Sequence, residues 1–294
     1  VFAILIAFTN YSAPNHIPPN NTVDWVGLET FGEMLSLKQY SQGFVRTAIW
    51  TFVWALLSTT TCYFGGMFLA LALLDKRIKI AGFFRTIFIL PYAIPGMISL
   101  FMWAILLNGQ FGPITRAFRE LGIISWLQKT GILQKDIIPW LSDPLLAKIM
   151  LILVNLWLGF PYFMLMITGI MTSMRQDIFE AALIDGASKF QQFKYITFPL
   201  LMYQTMPLFI MSFSYNMNNF AGVYFLTNGN PPDTITTQSF AGTTDTLITW
   251  MYKLTLDQRL YNKASVVALI MFLVVAPFAL YNFAQTKSFK EGEL

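Results

Sequence analysis

Near residue 215 an apolar run is interrupted by "SFSYNMNNF", which sets Ser212, Ser214, Tyr215, Asn216, Asn218 and Asn219 among phenylalanines and methionines. At 100° per residue, Ser212, Tyr215, Asn216 and Asn219 share one helix face about 100° wide, and Asn218 points elsewhere. Amides donate and accept at once, and tyrosine offers a flat apolar ring with a polar tip. That set suits the hydroxyls of an uncharged solute such as a sugar, and it carries no charge to attract an amino acid, a phosphate or a metal ion. The same side chains also serve as glue between helices in lipid, at about 0.6–2 kcal/mol per hydrogen bond. A second passage, "NLWLGFPYF", puts Gly159 and Pro161 in mid-run with Tyr162 beside them. These residues either free backbone groups toward a cavity or only kink the helix. "LPYAIPG", with Pro91 and Pro95 four residues apart, is assigned to helix geometry.

Other chemistry is excluded by inventory. Cys62 is the only cysteine and His16 the only histidine, which removes disulfide frameworks, Cys/His metal clusters and Cys-His or Ser-His catalytic pairs. Cys62 lies in an apolar run and is expected to be a packed thiol. No glycine is followed by lysine, so the usual phosphate-cradling loop is missing and any ATP is hydrolysed by another chain. No catalytic residue, metal site or cofactor is expected here, and no basic run points to nucleic acid.

The elements that must position these residues are membrane helices. Of the 294 residues, 55% are hydrophobic and 12% charged, with a mean hydropathy of +0.55, against roughly 25% charged in soluble domains. Repeated apolar stretches of about 20 residues cross about 30 Å of hydrocarbon with their backbone groups bonded internally. The sequence therefore predicts an all-α integral membrane protein with full spans at about 44–74, 84–107, 147–171, 200–227 and 264–285. Residues 1–43 are read as the outer end of a helix whose beginning is missing plus an outer segment, 44–285 as the spanning core and 286–294 as a tail. "VFAILIAF" is too short to cross, and because it is retained it is not expected to be a cleaved signal peptide.

Orientation follows from the positive charges. Residues 75–85, 172–199 and 286–294 hold nine lysines and arginines in 48 residues, against eight in 110 for 9–43, 108–146 and 228–263. The denser set, including the C-terminus, is expected to be cytoplasmic. Trp126 and Trp140 lie in a segment with apolar residues at helical spacing, which reads as a packed interfacial helix. Apart from Asp75 at one end, the predicted spans contain no Asp or Glu, which argues against an ion- or proton-coupled carrier.

One cytoplasmic stretch is too polar to cross: "EAALIDGASKFQQFKYITFP", residues 180–199. Leu183, Ile184, Ala187, Phe190 and Phe193 recur at helical steps, giving a short amphipathic helix or helix pair. Gly186 marks a bend or a close backbone approach, and Pro199 is expected to break the helix before the next span. Such a helix lies on the inner leaflet or docks into a protein. Its mixed-sign polar face and its aromatic pair Phe190 and Phe193 favour a protein.

This stretch resembles the cytoplasmic EAA loop of binding-protein-dependent ABC importer permeases, matching at Glu180, Ala181, Ala182, Asp185, Gly186, Ala187, Phe193, Ile196 and Pro199. "NLWLGFPYF", "SFSYNMNNF" and "FLTNGNP" further resemble the larger membrane subunit of maltose and maltodextrin importers, over about residues 40–285. The resemblance implies a multi-span permease whose coupling helix, with Glu180, Ala181, Ala182, Asp185, Gly186, Ala187, Phe190 and Phe193, docks into an ATPase subunit. It implies sugar contacts at Gly159, Tyr162, Ser212, Tyr215, Asn216 and Asn219. It implies as partners a second homologous permease subunit, an ATPase homodimer that holds ATP and Mg, an extracytoplasmic sugar-binding protein, maltose or maltodextrin, and membrane lipid of the bacterial cytoplasmic membrane. Two departures stand out. Tyr215 replaces an aromatic without a hydroxyl, and the large outer domain of some members has no counterpart between the first spans.

Overall fold

The computed structural model describes residues 2–13, 16, 22–75, 77–131, 133–233 and 239–284, so the tail read at 286–294, position 285 of the last span, and Lys76 lie outside the described residues. All regular elements among them are helical. They are α1 (Phe2–Ile6), α2 (Glu29–Ser36), α3 (Lys38–Leu74), α4 (Ala81–Ala93), α5 (Gly96–Leu106), α6 (Pro113–Glu120), α7 (Ile123–Lys129), α8 (Pro144–Ser173), α9 (Gln176–Ile184), α10 (Lys189–Gln192), α11 (Phe198–Met217), α12 (Phe220–Thr227), α13 (Leu247–Tyr252) and α14 (Tyr261–Ala284). Among the described residues, three helical stretches are long and apolar enough to cross a membrane, Tyr40–Leu74, Pro144–Ser173 and Lys189–Met217, and the bent pair of α4 and α5 makes a fourth if taken as one span.

Helices α3 and α8 are the central pair, and glycines let them touch. A Cβ on Gly66 would meet the backbone of Phe160 and Met164 at 2.8 and 2.7 Å, and one on Gly159 would meet the Cys62 sulfur at 2.7 Å. Small residues bring membrane helices within van der Waals reach, which matters where lipid supplies no hydrophobic drive. Tyr63 ties α3 to α11 through a 2.7 Å hydroxyl–hydroxyl bond with Thr205. Helix α8 starts cleanly because Asp143 accepts the backbone N–H groups of Leu145 and Leu146 and Pro144 occupies the first turn.

Two expected spans are each divided into two helices. The span at 84–107 is two helices, α4 and α5, bent by 94° at Ile94–Pro95. A residue before proline is pushed out of the helical region, and Ile94 is extended at φ −84°, ψ 135°. The span at 200–227 also divides: α11 ends at Met217, Asn219 is extended, and α12 starts at Phe220. The break expected at Pro199 is absent. Helix runs from Lys189 to Met217 through a wide turn at Phe193–Thr197, where the Phe198 N–H reaches back to the Phe193 carbonyl and Pro199 follows without interruption. Gly159 and Pro161 likewise sit inside an unbroken α8.

Among the described residues the core falls into three larger clusters and a small one of Ala55, Phe213 and Met217. Tyr63, Met67, Phe163, Ile167 and Leu201 join α3, α8 and α11 at one end of the bundle. Trp50, Trp54, Leu151, Val154 and Val223 join α3, α8 and α12 nearer the other. The third gathers Met34, Tyr40, Trp250, Leu254 and Val266 around α13 and α14. Beside it, Asp245 is buried and accepts from Lys253 at 2.8 Å, Thr249 at 2.9 Å and the Gly242 N–H at 2.7 Å. Burial pushes its carboxyl above the usual range. The segment with Trp126 and Trp140, read as a packed interfacial helix, holds two short helices, α6 and α7; Trp140 lies beyond them, donates to Thr115 at 2.9 Å and packs on Phe118, while Trp126 on α7 stays exposed.

Candidate functional site

A cavity of about 610 Å³ opens between α3, α4, α5, α8, α11 and α12, and its wall includes Gly159, Tyr162, Ser212, Tyr215, Asn216 and Asn219. These residues come from separate stretches of chain, yet the fold brings all six onto one cavity. Among the described residues, no Asp, Glu, Lys or Arg lines it. Asn218 is absent from the wall and is occupied by the Ser214 carbonyl at 3.1 Å.

The two asparagines are held for different reasons. Asn216 donates to Thr59 on α3 at 3.0 Å. Asn219 caps α12, its side-chain oxygen accepting the Gly222 N–H at 3.0 Å, and its amide nitrogen lies 3.5 Å from the Asn216 oxygen. Asn219 is thus outside the helix on which its face was reckoned, and it reaches the cavity as a cap. Both glue and cavity lining are realised, and each amide keeps a second donor proton for another partner. Tyr215 is 69% exposed and makes the open part of the wall.

Gly159 faces the cavity at the point where α8 touches Cys62, so its small size serves contact between helices as well as access. Cys62 is buried, with Asn155 within 3.6 Å of its sulfur, and is the packed thiol expected. Tyr162 stands against Tyr92 at 6.5 Å between ring centroids. Asn155 and Tyr92 also line the cavity and were missed. Asn155 opens the "NLWLGFPYF" passage, and as an amide in an apolar run it carried the same signal as Asn216.

At the other end of α8, the stretch 176–192 is two helices turning on Gly186, whose φ of +79° is the left-handed conformation glycine adopts without strain. The Ala187 N–H bonds to the Ala182 carbonyl across the turn, and Ser188 with Gln191 forms a reciprocal cap on α10. Nothing lies within 4 Å of a Cβ on Gly186, so within this chain the residue serves the bend and no close backbone contact. Glu180, Ala181, Asp185 and Phe190 are exposed, Ala182 and Ala187 half-buried, and Phe193 packs on Phe198 at 5.9 Å. Leu183, Ile184 and Phe190, at 61, 87 and 71% exposure, leave an apolar surface that no part of the described chain covers. Asp75, from the neighbouring turn, is held well below the usual carboxylate range by its bonds from Arg77.

Broken apolar helices around an uncharged cavity, with a polar helix pair at one end, define an all-α membrane permease. The chain belongs to the family of binding-protein-dependent transport system inner membrane components, whose profile matches residues 62–287. It is 38% identical over 291 residues to the galactooligosaccharides transport system permease protein GanP of Bacillus subtilis, covering 99% of this chain and 66% of that one. It is 36% identical over 290 residues to the maltodextrin transport system permease protein MalC of Streptococcus pneumoniae, covering 98% and 65%. The chain thus spans just under two thirds of the length of these curated relatives. In fold it is similar to a chain of a bacterial ABC transporter involved in the import of the acidic polysaccharide alginate, with a TM-score of 0.72 at 19% identity over 97% of this chain and 89% of that one.

Proposed function

We propose that this chain is the permease subunit of an ATP-driven importer that moves maltose or maltodextrin across the bacterial cytoplasmic membrane by alternating access. The observation that carries this reading is the cavity itself, which gathers all six expected contact residues and, among the described residues, holds no charged side chain. An exposed tyrosine ring offers a stacking surface to a sugar face, and Asn216, Asn219 and Asn155 offer amide donors and acceptors to hydroxyls. Because Asn216 and Asn219 are already oriented by Thr59 and the α12 cap, they meet a solute with little ordering cost.

The partners follow from the same reading. A second, homologous permease subunit completes the pathway, an extracytoplasmic sugar-binding protein delivers solute, and an ATPase homodimer binds ATP and Mg. Residues 75–85, 172–199 and the C-terminus face the cytoplasm, and the uncovered Leu183, Ile184 and Phe190 surface beside Glu180 and Gly186 is where the ATPase docks. Nucleotide favours the outward state only if it binds that state more tightly, since equal affinity shifts nothing. A second reading within the class is a galactooligosaccharide, favoured by the 38% identity to GanP.

ATP-dependent uptake into vesicles holding the full complex tests this, with labelled maltotriose and a labelled galactotriose side by side. Uptake of maltotriose that falls about tenfold or more in Tyr215→Ala, with assembly intact, supports the substrate class and the cavity; that loss corresponds to about 1.4 kcal/mol. Uptake of the galactoside alone moves the substrate to the second reading. Active ATPase with neither sugar transported overturns the maltodextrin assignment.

A further inference from the structure

The α3 and α8 helices carry a second cavity, of about 630 Å³, toward their N-terminal ends, with Arg46, Trp50, Lys148, Asp233 and Thr243 in its wall. Arg46 is ion-paired with Asp233, and Lys148 lies over the Trp50 ring at 4.7 Å. The two cavities share helix faces. On α8, Pro144, Lys148, Leu151, Asn155, Gly159 and Tyr162 fall within about 80° of one another, the first two lining the second cavity and the last three the first. On α3, Trp50, Trp54, Ser58 and Cys62 form one ridge at four-residue steps, again with a cavity at each end. Twelve residues separate the ends of that ridge, about 18 Å of helix.

Between the cavities the ridge is sealed, and the seal is not at rest chemically. Trp54 and Ser58 are fully buried, and neither the indole Nε1 nor the Ser58 Oγ has a hydrogen-bond partner among the described residues. Trp54 packs in one buried cluster with Leu151 and Val223. A buried polar group left unpaired costs about 1–3 kcal/mol, and native structures hold few of them. Two such atoms lie on the one ridge that runs between the two cavities.

We propose that the saccharide path continues from the Asn216 cavity along this ridge to the second cavity, and that Trp54, Ser58 and Lys148 are further contact residues for a neutral oligosaccharide. The paired Arg46 and Asp233 present donors and acceptors side by side without net charge, which suits adjacent hydroxyls. When the seal opens, Trp54 and Ser58 gain from the sugar the bonds they lack when it is shut. Saccharides long enough to reach both cavities make these contacts together, and a disaccharide does not. The inference rests on the sugar-importer reading above.

The test is sugar imported per ATP hydrolysed by the reconstituted complex, with maltose and maltohexaose as probes, for wild type, Ser58→Ala, Lys148→Met and Lys148→Arg. Ser58→Ala is expected to keep or raise thermal stability, because it removes an unpaired hydroxyl, yet to lower hexasaccharide import per ATP about threefold to tenfold, the loss of one hydrogen bond. Lys148→Met is expected to do the same, Lys148→Arg to restore import, and maltose import to change little. Unchanged ratios for both sugars in Ser58→Ala and Lys148→Met overturn the proposal. So does a rise in the binding-protein concentration needed for half-maximal ATPase with no dependence on sugar length, which makes the second cavity a docking surface instead. A wild type that imports neither probe defeats the sugar reading itself, and with it this path.

Discussion

Single residues in this chain do two jobs at once, and the distances say which substitution tells them apart. Gly66 has no room: an added methyl meets Phe163 and the Phe160 and Met164 backbone at under 3.0 Å. Gly66→Ala is therefore expected to destabilise by about 1–3 kcal/mol, as overpacking does, whereas Gly169→Ala meets open space and is expected to leave stability unchanged. Thermal unfolding of the assembled complex in detergent compares the two directly. Asn219 separates the same way. Asn219→Ala loses the α12 cap at about 1 kcal/mol, while Asn219→Asp keeps a capping oxygen but gives up the amide donor facing the cavity. Reduced uptake with unchanged stability in Asn219→Asp is the expected sign of solute contact; unchanged uptake assigns Asn219 to capping alone.

Elements depend on how their ends are secured. The loop before α13 is fixed by Asp245, and Lys253 stands 2.8 Å away with little exposure of its own. Lys253→Met strands a buried carboxylate and is expected to cost about 3–5 kcal/mol. Adding Asp245→Asn to that variant is expected to recover most of the loss. Burial holds the Asp245 folded-state pKa above its unfolded value, so this group's contribution is full at low pH and is lost as pH rises through the folded value. The Lys253→Met deficit is therefore smaller near about pH 5 than near about pH 8. Equal deficits at both would show that the carboxylate finds another partner. The helix pair at 176–192 hangs on Gly186. Gly186→Val places a β-branched residue at φ +79°, a strain of about 1–2 kcal/mol with no clash to relieve it. That bend was legible in the sequence because only a glycine between two apolar helical runs gives it. At Ile94–Pro95 the prolines signalled altered helix geometry but not the 94° bend, and the break at Asn218–Asn219 gave no signal, because hydropathy counts apolar residues and is blind to direction.

For the whole molecule, the proposed coupling between the cavity and the helix pair is open to a direct test. Glu180→Ala, on an exposed and unpartnered surface, is expected to leave insertion and stability intact while abolishing ATP-coupled uptake; normal uptake would release this face from the docking role. Composition and spacing by themselves determined that the chain is built of apolar membrane-type helices, that "SFSYNMNNF" carries neutral hydrogen-bonding groups and that residues 180–199 are too polar to cross. These follow from local quantities, namely transfer free energy, the 3.6-residue period and the conformations open to glycine. Tertiary structure alone decided that Asn216 reaches Thr59, that Asn219 lines the cavity from a cap rather than a helix face, that Asn155 and Tyr92 join the wall, and that a second cavity shares the α3 and α8 faces. Each of these depends on which helix crosses which and at what angle. Distant glycines and prolines set that angle, and no window along the chain contains it.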